Sequence, residues 1–266
     1  IAPWGVVEKR NELIGKNKDV PFHTVAQPRS RFAALNKHHA YFLLVDNGTV
    51  GKYGAEIALR RKLEKFISHQ SLSGSSKSHF STPLVCLVIE GGTNTIRAVL
   101  EYVTASPPVP VVVCDGTGRA ADLIAFVHKY ASDDGDLGAI EDMKEQIIHT
   151  IKKTFDVSSD MAAKLYLELR QCIKRRHLIT IFRCSGDRGE KPAMLDEVIL
   201  TALFKAQHLH PLEQLTLALT WNRCDIARKE IFTYGQDWPP GALEFAMQEA
   251  LELDRVDFVR LLLEHG

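Results

Sequence analysis

Two glycine-centred strings carry the residue types best suited to holding an anion. Gly116-Thr117-Gly118-Arg119 follows the apolar run 109–113 and opens a helical pattern that reaches Tyr130. Glycines let the backbone come close to a ligand, and the helix that follows aims its unpaired N–H groups and the positive end of its dipole at the turn. Arg119 stands at the wrong end for that dipole, a placement a bound phosphate compensates. Asp115 closes the strand, where a parallel sheet presents an acceptor to a ribose. The alternative is a plain tight turn with Arg119 solvated or bridged to Asp122.

The second string, Glu90-Gly91-Gly92-Thr93-Asn94-Thr95, follows the run 84–89. Two glycine turns opening at one sheet edge define a cleft. The Glu90 carboxylate repels phosphate, so this turn is expected to bound the pocket without gripping the anion. Tyr53 and Arg60 offer an aromatic face and a guanidinium to a base and a phosphate. Their plainer use is an i, i+4 ladder of Glu56, Arg60 and Glu64 on an exposed helix face.

Other reactive residue types lead nowhere specific. No Ser-His-Asp order, Walker string or nucleophile elbow is present, so no catalytic residue is assigned. His38-His39, His208 and His210 lack further ligands at metal spacing, and Asp133-Asp134-Gly135-Asp136 does not continue into a calcium loop, so no metal site is expected. Cys86, Cys114, Cys172, Cys184 and Cys224 form no CxxC pair and read as small core residues of a reducing compartment. Lys174-Arg175-Arg176-His177 reads as a helix end favoured by the dipole, with a phosphoinositide or partner contact as the alternative.

Positioning the glycine turns falls to apolar strands followed by amphipathic helices. The runs 41–45, 84–89 and 109–113 each lead through a polar or glycine turn into a helix, the first over 56–70 with Leu59, Leu63, Phe66 and Ile67 on one stripe. Continuous apolar strands alternating with helices predict a doubly wound parallel sheet. Two more helices, 141–155 and 160–175, precede a candidate strand at 178–182. The serine-rich stretch 71–82 is an expected loop.

From residue 193 onward the pattern is helical. Leu219-Thr-Trp-Asn-Arg-Cys-Asp-Ile-Ala-Arg and Leu251-Glu-Leu-Asp-Arg-Val-Asp-Phe-Val-Arg match at an offset of 32 residues, close to the ~33 of ankyrin-type repeats. Each unit is a helix pair joined at Asn222-Arg223 or Asp254-Arg255, with Asp225 and Asp257 placed to cap the second helix. Such repeats bury their faces by stacking, so the protein is expected to continue past Gly266, and Ile1-Ala-Pro-Trp-Gly is expected to be the end of a strand begun upstream. Lys+Arg and Asp+Glu both number 33, which leaves no bulk charge to recruit nucleic acid or an anionic membrane. No run approaches the ~20 apolar residues of a membrane span.

These strings together resemble the amino-terminal cytoplasmic homology region of melastatin-type transient receptor potential (TRPM) cation channels, closest to the branch with kinase-fused members. The resemblance rests on Ile1-Ala-Pro-Trp-Gly, Leu44-Val-Asp-Asn-Gly-Thr-Val-Gly-Lys-Tyr-Gly-Ala-Glu, Val88-Ile-Glu-Gly-Gly, the string from Val109 through Asp122, Ala218-Leu-Thr-Trp-Asn-Arg-Cys-Asp-Ile-Ala and Asp254-Arg-Val-Asp-Phe-Val-Arg-Leu-Leu. It implies a Rossmann-like, SLOG-type α/β domain over 1–185, incomplete at its amino terminus, and an all-α ankyrin-like repeat region over 186–266. It implies a calcium or divalent cation channel, other channel subunits as partners in a homo- or heterotetramer, and a place at the cytoplasmic face of the plasma membrane. The implied ligand is ADP-ribose or a related nucleotide, with Tyr53, Arg60, Gly116, Thr117, Gly118 and Arg119 at the matching positions; the glycine-turn reading above adds Gly91, Gly92, Thr93 and Asp115 to the expected site. The superfamily's phosphoribohydrolases carry Pro-Gly-Gly-x-Gly-Thr-x-x-Glu. Glu90-Gly-Gly-Thr-Asn-Thr-Ile-Arg departs from it at the Pro, at the third Gly and at the catalytic Glu, where Arg97 and Ala98 stand, so no enzyme is expected.

Overall fold

The computed structural model describes residues 1–15, 19–22, 31–70, 82–131, 137–183, 194–206, 209–233 and 238–265. The serine-rich stretch 71–81, the acidic loop 133–136, Cys184, His208 and Gly266 lie outside them. Contacts divide the chain into two compact units, Ile1–Thr82 and Pro83–Gly266.

In the first unit β1 (Ala2–Pro3) pairs in parallel with β2 (Leu44–Val45), and Val7 bridges Ala33. The expected strand over 41–45 is therefore only its last two residues, and Tyr41, Phe42 and Leu43 are exposed. Gly5 is required by a close approach, because a Cβ there would lie 1.8 Å from the Thr49 carbonyl oxygen. Its own carbonyl accepts from Gly51 N–H and the Arg10 guanidinium, both at 2.9 Å. The helix α1 (Ile57–Ser68) forms as expected but buries no residue fully, and Leu59, Phe66 and Ile67 stay exposed. Two strands of two residues each give its apolar stripe little surface to cover.

The second unit holds a parallel sheet in the order β3 (Cys86–Val88), β4 (Val111–Asp115), β5 (Ile179–Arg183). The run 178–182 is thus a member of this sheet, with Val111 opposite Ile179 and Asp115 opposite Arg183. β4 is central, and its valines 111, 112 and 113 are fully buried. Successive side chains of a strand point to opposite faces, so burial of all three demands cover on both.

One cover is a core that joins Val111 and Val113 with α2 (Thr93–Val103), α3 (Arg119–Tyr130), α5 (Lys144–Phe155) and α6 (Ser159–Ile173). The other is α7 (Leu195–Ala206), which lies against β4 and β5. The helix expected over 141–155 is broken at Met143 into α4 (Gly138–Asp142) and α5. Ser158 caps α6 by accepting Met161 N–H at 3.3 Å. Cys172 donates to the Ile96 carbonyl from full burial, and desolvation pushes its thiol up to about 12, so it is an inert core residue.

The helical part follows with α8 (Pro211–Thr220), α9 (Cys224–Ile226, continued by a π turn Ala227–Ile231), α10 (Ala242–Glu252) and α11 (Val256–His265) around their own core. The repeat read in the sequence is visible in the backbone. Asn222 and Asp254 both take the left-handed conformation, at φ 55° and 54°. Arg223 N–H returns to Ala218 O at 2.9 Å and Arg255 N–H to Ala250 O at 2.8 Å, while Asn222 N–H meets Leu219 O and Asp254 N–H meets Leu251 O. These are two Schellman caps 32 residues apart.

Asp225 does not cap α9 as expected, because Arg223 takes its carboxylate at 2.6 Å. Arg223 also pairs with Asp196 at 2.6 Å and Glu197 at 3.6 Å, tying this turn to the start of α7. Hydrogen bonds from Arg223 hold the Asp196 and Asp225 carboxyls below their ordinary values. Groups whose pKa is lower folded than unfolded stabilise above the unfolded value of about 4, and that stability is lost as pH falls through the lower folded values. Urea unfolding should therefore show Arg223→Met less stable than the parent near neutral pH, with the gap narrowing only as pH falls below about 4 and the carboxylates protonate. A gap that stays constant with pH would remove the ion cluster from the account.

Candidate functional site

The two glycine turns meet at the carboxyl ends of β3 and β4. Thr117 bridges them, its hydroxyl donating to the Cys114 carbonyl at 2.7 Å and accepting Glu90 N–H at 2.9 Å. In return Ala121 N–H donates to Glu90 O at 2.9 Å and Ala120 N–H to Gly91 O at 3.4 Å. Presenting both carbonyls to α3 bends the first turn through positive φ, 54° at Glu90 and 87° at Gly91. The turn then closes on itself, with Gly92 N–H on Thr95 Oγ1 and Thr95 N–H on Gly92 O, both at 3.0 Å.

The amides expected to hold a phosphate at Gly116 and Gly118 already have an anion. Asp122 in the first turn of α3 reaches back, and its Oδ1 accepts Gly116 N–H at 2.8 Å and Gly118 N–H at 2.9 Å. With Ala120 and Ala121 spent on the neighbouring turn, the start of α3 is closed by the protein's own groups. Asp115 is likewise engaged, 3.8 Å from the Arg183 guanidinium across the β4–β5 register.

Arg119 is not bridged to Asp122, and among the described residues no ion pair involves its guanidinium. Its backbone is left-handed at φ 54°, after Gly118 at φ 97°, a conformation that costs a non-glycine residue roughly 1–2 kcal/mol. The side chain leaves α3 and lies over the other turn, where a Cβ added at Gly92 would meet its Nη2 at 3.9 Å. Gly92 is the N-cap of α2, and Thr93 begins that helix. The structure thus gathers Gly91, Gly92, Thr93 and Arg119 at one helix start, the place the sequence assigned to the pocket wall. Asp122 is the residue whose role was missed. An acidic side chain in the first turn after Gly-x-Gly is its only local signal.

Tyr53 and Arg60 belong to the first unit. Tyr53 is exposed just before α1, and Arg60 reaches the Ile1 carbonyl at 3.4 Å. The alternative ladder does not form, because Glu56 accepts Gly54 N–H at 3.0 Å and Glu64 pairs with Arg61 at 3.6 Å. In the second unit, Arg97 pairs with Glu168 of α6 at 3.3 Å. Of the basic run at the end of α6, Lys174, Arg175 and His177 are exposed, as expected of a solvated helix end, and Arg176 donates to the Ala131 carbonyl. Among the described residues, no group of three or more His, Cys, Asp or Glu side chains is placed to hold a metal, and no helix is long and apolar enough to cross a membrane.

Residues 1–172 match the family model described as SLOG in TRPM. The whole chain is 65% identical over 266 residues to a transient receptor potential cation channel, trpm, of Drosophila melanogaster, and 52% identical over 267 residues to a transient receptor potential channel of Caenorhabditis elegans. Against the human transient receptor potential cation channel subfamily M member 7 it is 48% identical over 266 residues. In each case all of this chain is aligned, and it spans 13 to 14% of the relative's length.

Proposed function

This chain belongs to the TRPM family, as a segment that carries its SLOG domain, and from that premise we propose that it is the cytosolic sensing and assembly part of a cation channel, binding the phosphate of a nucleotide at the start of α2. The observation that carries the ligand is Arg119, a guanidinium with no acidic partner among the described residues, brought from one glycine turn onto Gly92 at the other. A helix start and a guanidinium together suit a phosphate dianion. ADP-ribose or a related nucleotide is the ligand class the family resemblance favours. The site works by binding and not by bond cleavage: Ala98 stands where the related hydrolases carry their catalytic Glu.

The assembly role is supported by the outer helix pair, where Phe245, Leu251, Val256 and Leu263 are all exposed. Helix pairs repeated at 32 residues are the arrangement of an ankyrin-like stack, which buries such faces against neighbours. Other subunits of a homo- or heterotetramer at the cytoplasmic face of the plasma membrane are the partners proposed, in a channel for calcium or other divalent cations. Calorimetry of the chain with ADP-ribose and with AMP tests the ligand. Arg119→Ala should weaken binding by about tenfold or more, since a charge-assisted hydrogen bond contributes ~1.5–3 kcal/mol. No heat with either compound would end the nucleotide reading.

A further inference from the structure

We propose that the open flank of α10 and α11 seats a further helix pair of this repeat from the same chain, with Leu251 and Val256 as its buried contacts, and that another subunit does not occupy it. The inference rests on the assembly reading above and deepens it by naming the neighbour on one flank. It comes from comparing the two helix pairs at their 32-residue offset.

The first helices of the two pairs bury different flanks. α8 turns Leu215 and Leu219 into the shared core, both without exposed surface. α10 lies against α8 and buries Ala242, Ala246 and Ala250, small residues four apart along one stripe. At the repeat offset Leu215 and Leu219 correspond to Met247 and Leu251, which stand beside that stripe on α10. Met247 is half-buried and Leu251 is 64% exposed. Looser packing of the second pair is not the cause, because Ala218 and its equivalent Ala250 are both fully buried. The leucine flank of α8 is closed by the pair that follows it, and α10 carries the same flank open.

The second helices repeat the contrast. Cys224 at the start of α9 is half-buried, and its thiol donates to the Asp257 carbonyl of α11 at 3.4 Å. Its equivalent, Val256, is 53% exposed. A single exposed apolar residue needs no explanation, but two whose equivalents both pack on the following pair mark a seat. Phe245 is outside it: its equivalent Glu213 is polar and accepts the His210 amide at 2.8 Å, so Phe245 stays available to another subunit. The chemistry of the occupant follows from α10, a helix with small residues at every fourth position that let the backbones come close. Supply by the same chain is favoured over supply by another subunit, because successive pairs are joined within residues 232–241 and so meet at high effective concentration. The matched segment is 13 to 14% of each relative, which leaves the family ample chain to form the next pair.

The test uses the full-length protein beside the 266-residue chain. Leu251→Cys and Val256→Cys report on cover by their rate of maleimide labelling, with the parent as background for its own cysteines. Cys224 shows that the repeat takes cysteine at the second of these positions. Both variants should react about tenfold or more slowly in the full-length protein than in the 266-residue chain. Photo-leucine, incorporated in place of leucine throughout, then identifies what lies on Leu251. Its cross-links from position 251 should run at the mass of one subunit and map to residues that follow Gly266. Cross-links from 251 to a second subunit overturn the inference and leave the assembly reading standing. Equal labelling rates in the two proteins mean an open flank, which overturns the inference and takes these two residues out of the assembly reading. Protection without a cross-link from 251 to the following segment also overturns it.

Discussion

Phe258→Ala is expected to destabilise the helical part by about 3–5 kcal/mol, the usual cost of emptying a fully buried aromatic site. Phe258 of α11 has no exposed surface and sits in a core with Leu215, Leu219, Ala250 and Leu261. The four-helix arrangement is short of alternatives for filling that space. α10 contributes mainly alanines to the core, Ala246 and Ala250, and the second helix of the first pair is already distorted into a π turn at Ala227–Ile231. For a unit of this size the midpoint of thermal unfolding should fall by on the order of 10 °C. A drop of only a degree or two would mean that α11 is not packed as described. Because α7 links this core to the sheet, loss of the helical part should also loosen α7, read as faster amide exchange in that helix.

Gly91→Ala is the second large effect, and it reaches the site. A Cβ at this position would lie 2.5 Å from Thr95 Oγ1, 2.7 Å from Cγ2 and 2.8 Å from Cβ of the same residue. Turning the threonine side chain moves the first two atoms but not its Cβ, which the α2 backbone holds. The alanine must also adopt φ near 87°, which adds about 1–2 kcal/mol of strain to about 1–3 kcal/mol of overpacking. Relief comes by shifting the first turn of α2, and that shift breaks the Ala120 and Ala121 bonds to Gly91 and Glu90. Chemical denaturation should show a loss of ~2–5 kcal/mol, and nucleotide affinity should fall with it. A chain of parental stability would show that the two turns are not locked as described.

Much of the second unit was legible because its signals are local. Three consecutive valines at 111–113 can all be buried only in a strand covered on both faces, and that is where β4 lies. The helix ends at Tyr130 and Phe155 and the strand at 178–182 followed from periodicity and composition in the same way. Asn222 and Asp254 were found as turns because a left-handed helix stop needs a short polar residue or glycine, whatever the partners around it. The first unit was read less well. Its residues 41–43 have strand composition, yet only Leu44 and Val45 find a partner strand, and composition does not say how much of a run will be paired.

The sequence by itself determined the parallel sheet, the paired helices at a 32-residue spacing, the family, and which turns have the composition of an anion site. Tertiary structure alone decided which of their donors are already taken by the protein's own acceptors. Gly116-Thr117-Gly118 has the composition of a phosphate turn, but its amides were claimed by Asp122 and its helix by carbonyls from a turn about 30 residues earlier in the chain. Arg119 was read as a ligand for its own helix start and lies instead over Gly92. α7 continues a helical stretch in the sequence and covers the back of the sheet in the fold. The reason is the same in each case. Propensity and periodicity report what a segment can form with its near neighbours, whereas a hydrogen-bond donor goes to whichever acceptor folding brings within about 3 Å, and that acceptor can come from anywhere in the chain.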